Sequence, residues 1–351
     1  MKRGGKKGSV LLFVLLVVFA SAAILASIAE YASVALRSRA SAANEFELRL
    51  DAYSALNAAV AVLEEYSEID GGLFSARQGW GKPFADGRVR LPDGAEAEVV
   101  ISDESGKIPL RAVKSGRLAK IMESFGVSER DSQKYADLIA DWVDADDSPS
   151  VSGAEYSDYD RGAALPPNRP MESFAELALV KDLDFAFFDA DSKPTELFEK
   201  FAAVFSLERF TKTNLNAASD AVLEALMFAE QKDFSPSLSA AIRGDIGYVK
   251  DGIFWCRSAE DLLGRGAGEY PTEATAFKAQ YFVIKIDISR GLARYKLVAH
   301  YADPSAFASG KSGAKKSAAG SAFENGVINA AASKAVKKGT FKIVKIMELA
   351  K

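Results

Sequence analysis

Seven carboxylates fall within the twenty residues from Asp141 to Asp160: Asp141, Asp144, Asp146, Asp147, Glu155, Asp158 and Asp160. They stand where a helical pattern gives way to Ser, Pro and Gly, so they belong to a loop. Three chemistries suit such a run. A hard cation such as calcium takes six to eight oxygen ligands from a flexible, carboxylate-rich segment, although the spacing of an EF-hand is absent. A solvated acidic loop needs no ligand at all. Acid–base catalysis would need a sheltered pocket and a second functional group, and the sequence supplies neither visibly.

Other chemistry has little to build on. The chain has one cysteine, Cys256, which excludes an internal disulfide and a cysteine-based zinc cluster. Its one histidine, His300, stands in an alternating strand-like stretch far along the chain from the acidic run. Both read as ordinary packing positions. With 44 basic and 48 acidic residues and a net charge of −4, no bulk electrostatic argument favours nucleic acid. At 351 residues, 48% of them hydrophobic, the chain suits two domains with real cores.

The amino terminus sets the frame for these residues. Residues 1–8 (MKRGGKKG) carry four cations and no acid, and Ser9 to Ala29 carry no charge over a length able to span a bilayer. The basic start predicts a cytoplasmic N-terminus and an extracytoplasmic bulk. Removal as a secretory signal behind Ala20-Ser21-Ala22 is the competing reading. Retention is favoured because neither Pro nor Gly occurs from Val10 to Ser67. Phe46, Leu50, Tyr53, Leu56, Val60 and Leu63 then recur at helical spacing as one apolar stripe, a face for helix assembly. A single helix to about Glu65 would run roughly 85 Å at ~1.5 Å per residue.

Further elements follow by pattern. Gly87–Leu91 and Ala95–Ile101 form a hairpin about Pro92-Asp93-Gly94. Helices are expected behind Ser115, Ser128, Ser173, Thr195 and Ser219. Gln280–Ile288 and Ala293–Tyr301 form a half-buried antiparallel hairpin turning at Ser289-Arg290-Gly291. Residues 305–322 have no apolar period, and Thr340–Leu349 reads as a closing strand whose partner stays open.

The leader ending in Gly8, with an apolar helix directly behind it, resembles a type IV prepilin. The resemblance implies cleavage between Gly8 and Ser9 by a prepilin peptidase. Two positions depart from the pattern: Ser9 stands where Phe or Met is usual, and Phe13 where Glu is usual. Asp103-Glu104-Ser105-Gly106-Lys107-Ile108, then Asp141-Trp142-Val143-Asp144-Ala145-Asp146 with Gly153-Ala154-Glu155, then Thr213-Asn214-Leu215-Asn216-Ala217 occur in order. These motifs are similar to those of the K-type minor pseudopilins of bacterial type II secretion, with Pro109 where the family has Asn. K-type subunits characteristically lack the Glu that Phe13 replaces.

That resemblance implies an α+β fold: a pilin-like long N-terminal helix on a small antiparallel sheet, interrupted by a large inserted all-α domain of SAM-like, helix-hairpin-helix-like type. The expected divisions are a leader at 1–8, a transmembrane part at 9–29 and an amphipathic part at 30–67. Sheet segments follow at 68–103 and 276–304, flanking the α domain at 104–275. A flexible loop at 305–338 and a closing strand at 339–351 complete the chain. It further implies a non-enzymatic subunit of the inner membrane, crossing once. Such a subunit initiates or caps the tip of a periplasmic pseudopilus with I- and J-type minor pseudopilins. Calcium is the implied cofactor, with Asp144, Asp146, Asp147 and Glu155 as candidate ligands. The alternative is a minor pilin of a type IV pilus or DNA-uptake system. Nucleic-acid binding is not expected, because Met227-Phe228-Ala229-Glu230 and the residues behind it offer no Gly-rich hairpin.

Overall fold

The structure, a computed structural model, describes residues 7–84, 88–91, 94–160, 164–244, 252–291, 293–303 and 341–350. Most of the expected leader, residues Pro92 and Asp93 of the first turn, and the loop expected at 305–338 lie outside the described residues.

Helix α1 (Lys7–Asp70) is unbroken over 64 residues, about 95 Å at ~1.5 Å per residue. It stops at Gly71, whose φ of 72° suits a residue without Cβ. Next come β1 (Arg88–Arg90), β2 (Glu96–Asp103) and the short β3 (Ile108–Pro109). A helical region follows, with α2 (Ser115–Ser124), α3 (Glu129–Val143), α4 (Asp184–Phe187) and α5 (Glu196–Val204). It continues through β4 (Phe205–Ser206), β5 (Thr213–Asn214), α6 (Asp220–Ala229), α7 (Pro236–Arg243), α8 (Ala259–Gly264) and β6 (Thr275–Ala276). Finally β7 (Tyr281–Arg290), β8 (Ala293–Ala302) and β9 (Lys342–Ala350) return to the first sheet. That sheet has the order β1-β2-β7-β8-β9 and is antiparallel throughout. The fold is α+β, a long helix on a small antiparallel sheet with a helical domain between β2 and β7.

Two large cores, with a small apolar cluster between them, hold the described residues together. Leu48, Ala52, Leu56, Ala59 and Leu63 of α1 pack on Val99, Phe282, Ile284 and Leu297 of the sheet. The alanines on this face let the helix axis lie close to the strands. In the helical domain, Phe187 meets Phe201 edge to face and Phe201 packs tilted on Phe205, with ring centroids 5.3 and 4.5 Å apart, among Leu177, Leu223 and Leu226. Ser128, Thr195 and Ser219 cap their helices through backbone N–H groups, and Ser173 caps a 3-10 turn (Phe174–Ala178). Ser115 does not cap: it is the first helical residue of α2, and its hydroxyl donates to Asp137 at 2.6 Å.

The second hairpin is buried on both faces at one end, not on one face throughout. Tyr281 and Val283 are covered along with Phe282 and Ile284, because the helical domain lies on the side of the sheet that α1 leaves free. Strand β7 also runs on through Ser289 and Arg290, so the turn is tighter than its sequence suggests. The closing strand β9 pairs with β8.

Candidate functional site

Helix α3 ends at Val143, which places Asp141 in its last turn and Asp144 at its C-cap. Acids at a helix C-terminus meet the negative end of the helix dipole, an unfavourable arrangement unless a cation or donor compensates. Asp141 is fully buried and is compensated: its two oxygens accept from the Ser150 backbone N–H at 3.0 Å and the Ser150 hydroxyl at 2.6 Å. The loop then folds back on it. A Cβ at Gly153 would lie 1.8 Å from Asp141 Oδ2, so glycine is required for this approach. Two residues later the chain delivers Glu155, which is 2% exposed.

Ligand-capable atoms of Asp141, Asp144 and Glu155 lie within 4.8 Å of one another. Oδ1 of Asp144 and both carboxylate oxygens of Glu155 are buried and have no hydrogen-bond partner among the described residues. Burial first, and then the neighbouring carboxylates, push the Asp144 and Glu155 carboxyls above their ordinary range. Asn168 stands by the same loop, its side-chain nitrogen 3.4 Å from the Asp146 carbonyl and its own Oδ1 buried without a partner. Orphaned hard oxygens and crowded negative charge are what a divalent cation would relieve, and the donor set suits calcium.

Of the four candidate ligands named from sequence, Asp144 and Glu155 come together. Asp146 and Asp147 are exposed on the loop, and the Asp146 carboxylate accepts from the Ser148 N–H at 3.0 Å. Asp141 takes their place. Its signal was present, since an Asp at i and i+3 at the end of one helix shares a face.

The apolar stripe of α1 divides in two. Leu56 and Leu63 are buried in the subunit's own sheet core, so they are closed to another helix. Tyr53 and Val60 are half-buried along its flank. Phe46 and Leu50, 61% and 52% exposed, are open to a partner. Tyr53 donates to Glu348 of β9 at 2.7 Å. Gly8 and Ser9 fall in the first turn of α1. Beyond them, Leu11–Ala35 is long and apolar enough to cross a membrane, and none of it is buried within the chain.

The asparagines of the Thr213–Ala217 motif are structural joints. Asn214 donates to the Phe74 carbonyl at 2.8 Å and to Asp103 Oδ2 at 2.6 Å, tying the helical domain to the sheet. Asn216 donates to the carbonyls of Cys256 and Phe277 at 2.7 and 2.8 Å. Cys256 is buried, with its thiol pushed up to about 11 by burial, which suits packing and not nucleophilic chemistry.

The chain is similar to known proteins over most of its length. Residues 100–190 match the family profile described as type II secretion system (T2SS), protein K, first domain. The chain is 28% identical over 318 residues to type II secretion system protein K of Pseudomonas aeruginosa, covering 84% of this chain and 88% of that protein. It is also 28% identical over 203 residues to the protein of that name from Pectobacterium carotovorum subsp. carotovorum, covering 52% and 60% respectively. Among solved structures, it shares its fold with a chain of the GspK–GspI–GspJ complex from the enterotoxigenic Escherichia coli type 2 secretion system. The TM-score is 0.57 at 13% identity, over 90% of this chain and 99% of that one. The matched residues run from β2 past α4 and include the carboxylates, and the similarity extends over most of the chain. Over most of its length the chain is thus similar to type II secretion system protein K.

Proposed function

We infer that this chain is a minor pseudopilin of type II secretion, a structural subunit and not an enzyme, which starts or caps the tip of the pseudopilus. The observation that carries the reading is the division of labour along α1. Its first part is apolar and unburied, while its second part is fixed to the sheet and still presents Phe46 and Leu50 outward. The apolar part anchors the subunit in the inner membrane, with the basic leader cytoplasmic and the folded part periplasmic. On assembly that part packs among neighbouring helices, and the bulky helical domain obstructs subunits from adding above it. The partners are other minor pseudopilins, supported by the I- and J-type companions in the solved neighbour's complex. A prepilin peptidase cuts between Gly8 and Ser9.

Calcium binding belongs to the same reading. Asp141, Asp144 and Glu155 would hold the ion, with the Asn168 side-chain oxygen a candidate beside them. Bound calcium would neutralise the buried carboxylates and pin the 144–155 loop to the end of α3. Its part is structural.

The test is co-expression of the full-length chain with I- and J-type subunits, with and without the peptidase, followed by detergent extraction and amino-terminal sequencing. A ternary complex whose K-type chain starts at Ser9 only when the peptidase is present is the expected result. A mature chain beginning beyond residue 20 and released as a soluble molecule would overturn the reading.

A further inference from the structure

The single histidine of the chain lies at the contact between the two domains. His300 of β8 is 5% exposed and faces Val283 on one neighbouring strand and Lys345 on the other. From the helical domain, the segment Leu207–Lys212 leans onto this face of the sheet. Phe210 packs on Tyr281, Val283 and Ala302, and the backbone N–H groups of Thr211 and Lys212 donate to Gln280 Oε1 at 3.1 and 3.2 Å. Glu208 of that segment meets the ring. One carboxylate oxygen is 3.4 Å from His300 Nδ1, and the other accepts the Tyr281 hydroxyl proton at 2.5 Å. The Tyr281 oxygen is itself 3.1 Å from His300 Nδ1.

This arrangement fixes the ring's protonation. Since the Tyr281 proton is committed to Glu208, Nδ1 carries a hydrogen and shares it between the Tyr281 and Glu208 oxygens. Nε2 is then the unprotonated nitrogen, and it is buried with no partner among the described residues. Charging the ring places a new N–H where no acceptor among the described residues meets it and a cation opposite Lys345. The charged and titratable groups facing the cluster are Glu208 from the helical domain, Tyr281 from β7, Lys345 from β9 and Glu104 from the turn after β2, with Arg111 nearby. Glu208 and Glu104 favour the charged ring. Burial and Lys345 oppose it, and burial is the largest influence, so the ring is held below its ordinary value.

We propose that the Glu208–Tyr281–His300 contact is a proton-sensitive latch that holds the helical domain against the sheet, closed while the ring is neutral and loosened when acid charges it. A histidine harder to protonate when folded stabilises the closed state above its unfolded value. That stability is lost as pH falls from about 6.5 through the folded value. Residues 207–212 lift first, because their side of the contact is a loop and the other side is a sheet.

The full-length protein in detergent, labelled with carbon-13 at histidine, gives one imidazole resonance, because the chain has one histidine. Its titration is expected to have a midpoint below about 6.5. Hydrogen exchange at residues 207–212, corrected for intrinsic rates, should accelerate roughly fivefold from pH 7 to pH 5 relative to α6, as expected for about 1 kcal/mol of lost closure. His300→Gln should remove that difference. A midpoint at or above the ordinary value would overturn the proposal, as would exchange in 207–212 that follows α6 at both pH values, or an acid response kept in His300→Gln. Should that variant fail to fold, the wild-type titration and exchange decide the matter.

Discussion

At the scale of single residues, Glu155 carries the most information about the candidate metal centre. Its two oxygens are buried, unpartnered among the described residues and close to the carboxylates of Asp141 and Asp144. Without a cation this is electrostatic frustration, so Glu155→Gln should leave the metal-free protein at least as stable. With calcium at a hundred times its dissociation constant, wild type should gain about 2.7 kcal/mol. That is several degrees of melting temperature for a protein of this size, at roughly 2–4 °C per kcal/mol. The gain should vanish in Glu155→Gln and persist in Asp146→Asn, whose side chain is exposed. Melting curves in calcium and in chelator distinguish these outcomes, and superimposed wild-type curves would remove calcium from the account. The acidic run located the right loop from sequence, but burial selected its members. Asp141 and Glu155 are fourteen positions apart and meet only because Gly153 lets the loop close on α3.

At the scale of elements, α1 shows how one periodic stripe can serve two surfaces. Apolar residues at steps of three and four announce a helix with a sticky side, and that much was legible. They do not reveal which of the stripe's edges faces inward. The alanines at 52, 55 and 59 decide it, since small residues line the side that lies against the strands. Leu56→Ala should therefore destabilise the folded subunit by about 2–5 kcal/mol, by cavity formation. Leu50→Ala should change stability by less than about 0.5 kcal/mol and instead weaken association with other pseudopilins. Denaturant unfolding of each variant, alongside co-purification, separates the two roles; equal destabilisation would show the stripe to be undivided. Local signals likewise revealed the caps at Ser128, Thr195 and Ser219 and both hairpins. They also marked α7, which sequence reading passed over despite Ser235-Pro236 at its start and Gly244 at its end. What no local pattern holds is pairing across distance: β9 on β8, and Glu208 beside His300, a histidine far along the chain from the acidic run.

At the scale of the whole molecule, two cores meet through polar joints, and two of these titrate in opposite directions. At the entry to the helical domain, Asp103 accepts from the Ser105 N–H at 2.9 Å and from Asn214 at 2.6 Å. Burial raises its carboxyl to about 6 against these hydrogen bonds. An acid whose folded value is raised is protonated first in the folded state. Stability therefore rises as pH falls from about 6 to about 4, by at most about 3 kcal/mol. The His300 contact does the reverse over an overlapping range, losing stability as pH falls below about 6.5. In wild-type melting between pH 7 and 4 the His300 loss should therefore offset part of the Asp103 rise. Asp103→Asn keeps an acceptor for Ser105 but sets an amide against the Asn214 amide, so it should lower stability by about 1–2 kcal/mol and expose the acid loss due to His300. His300→Gln should steepen the rise due to Asp103, and the double variant should lose both contributions relative to wild type. If both single variants follow the wild-type pH profile, neither joint titrates as its burial requires, and the two domains are held together by packing alone.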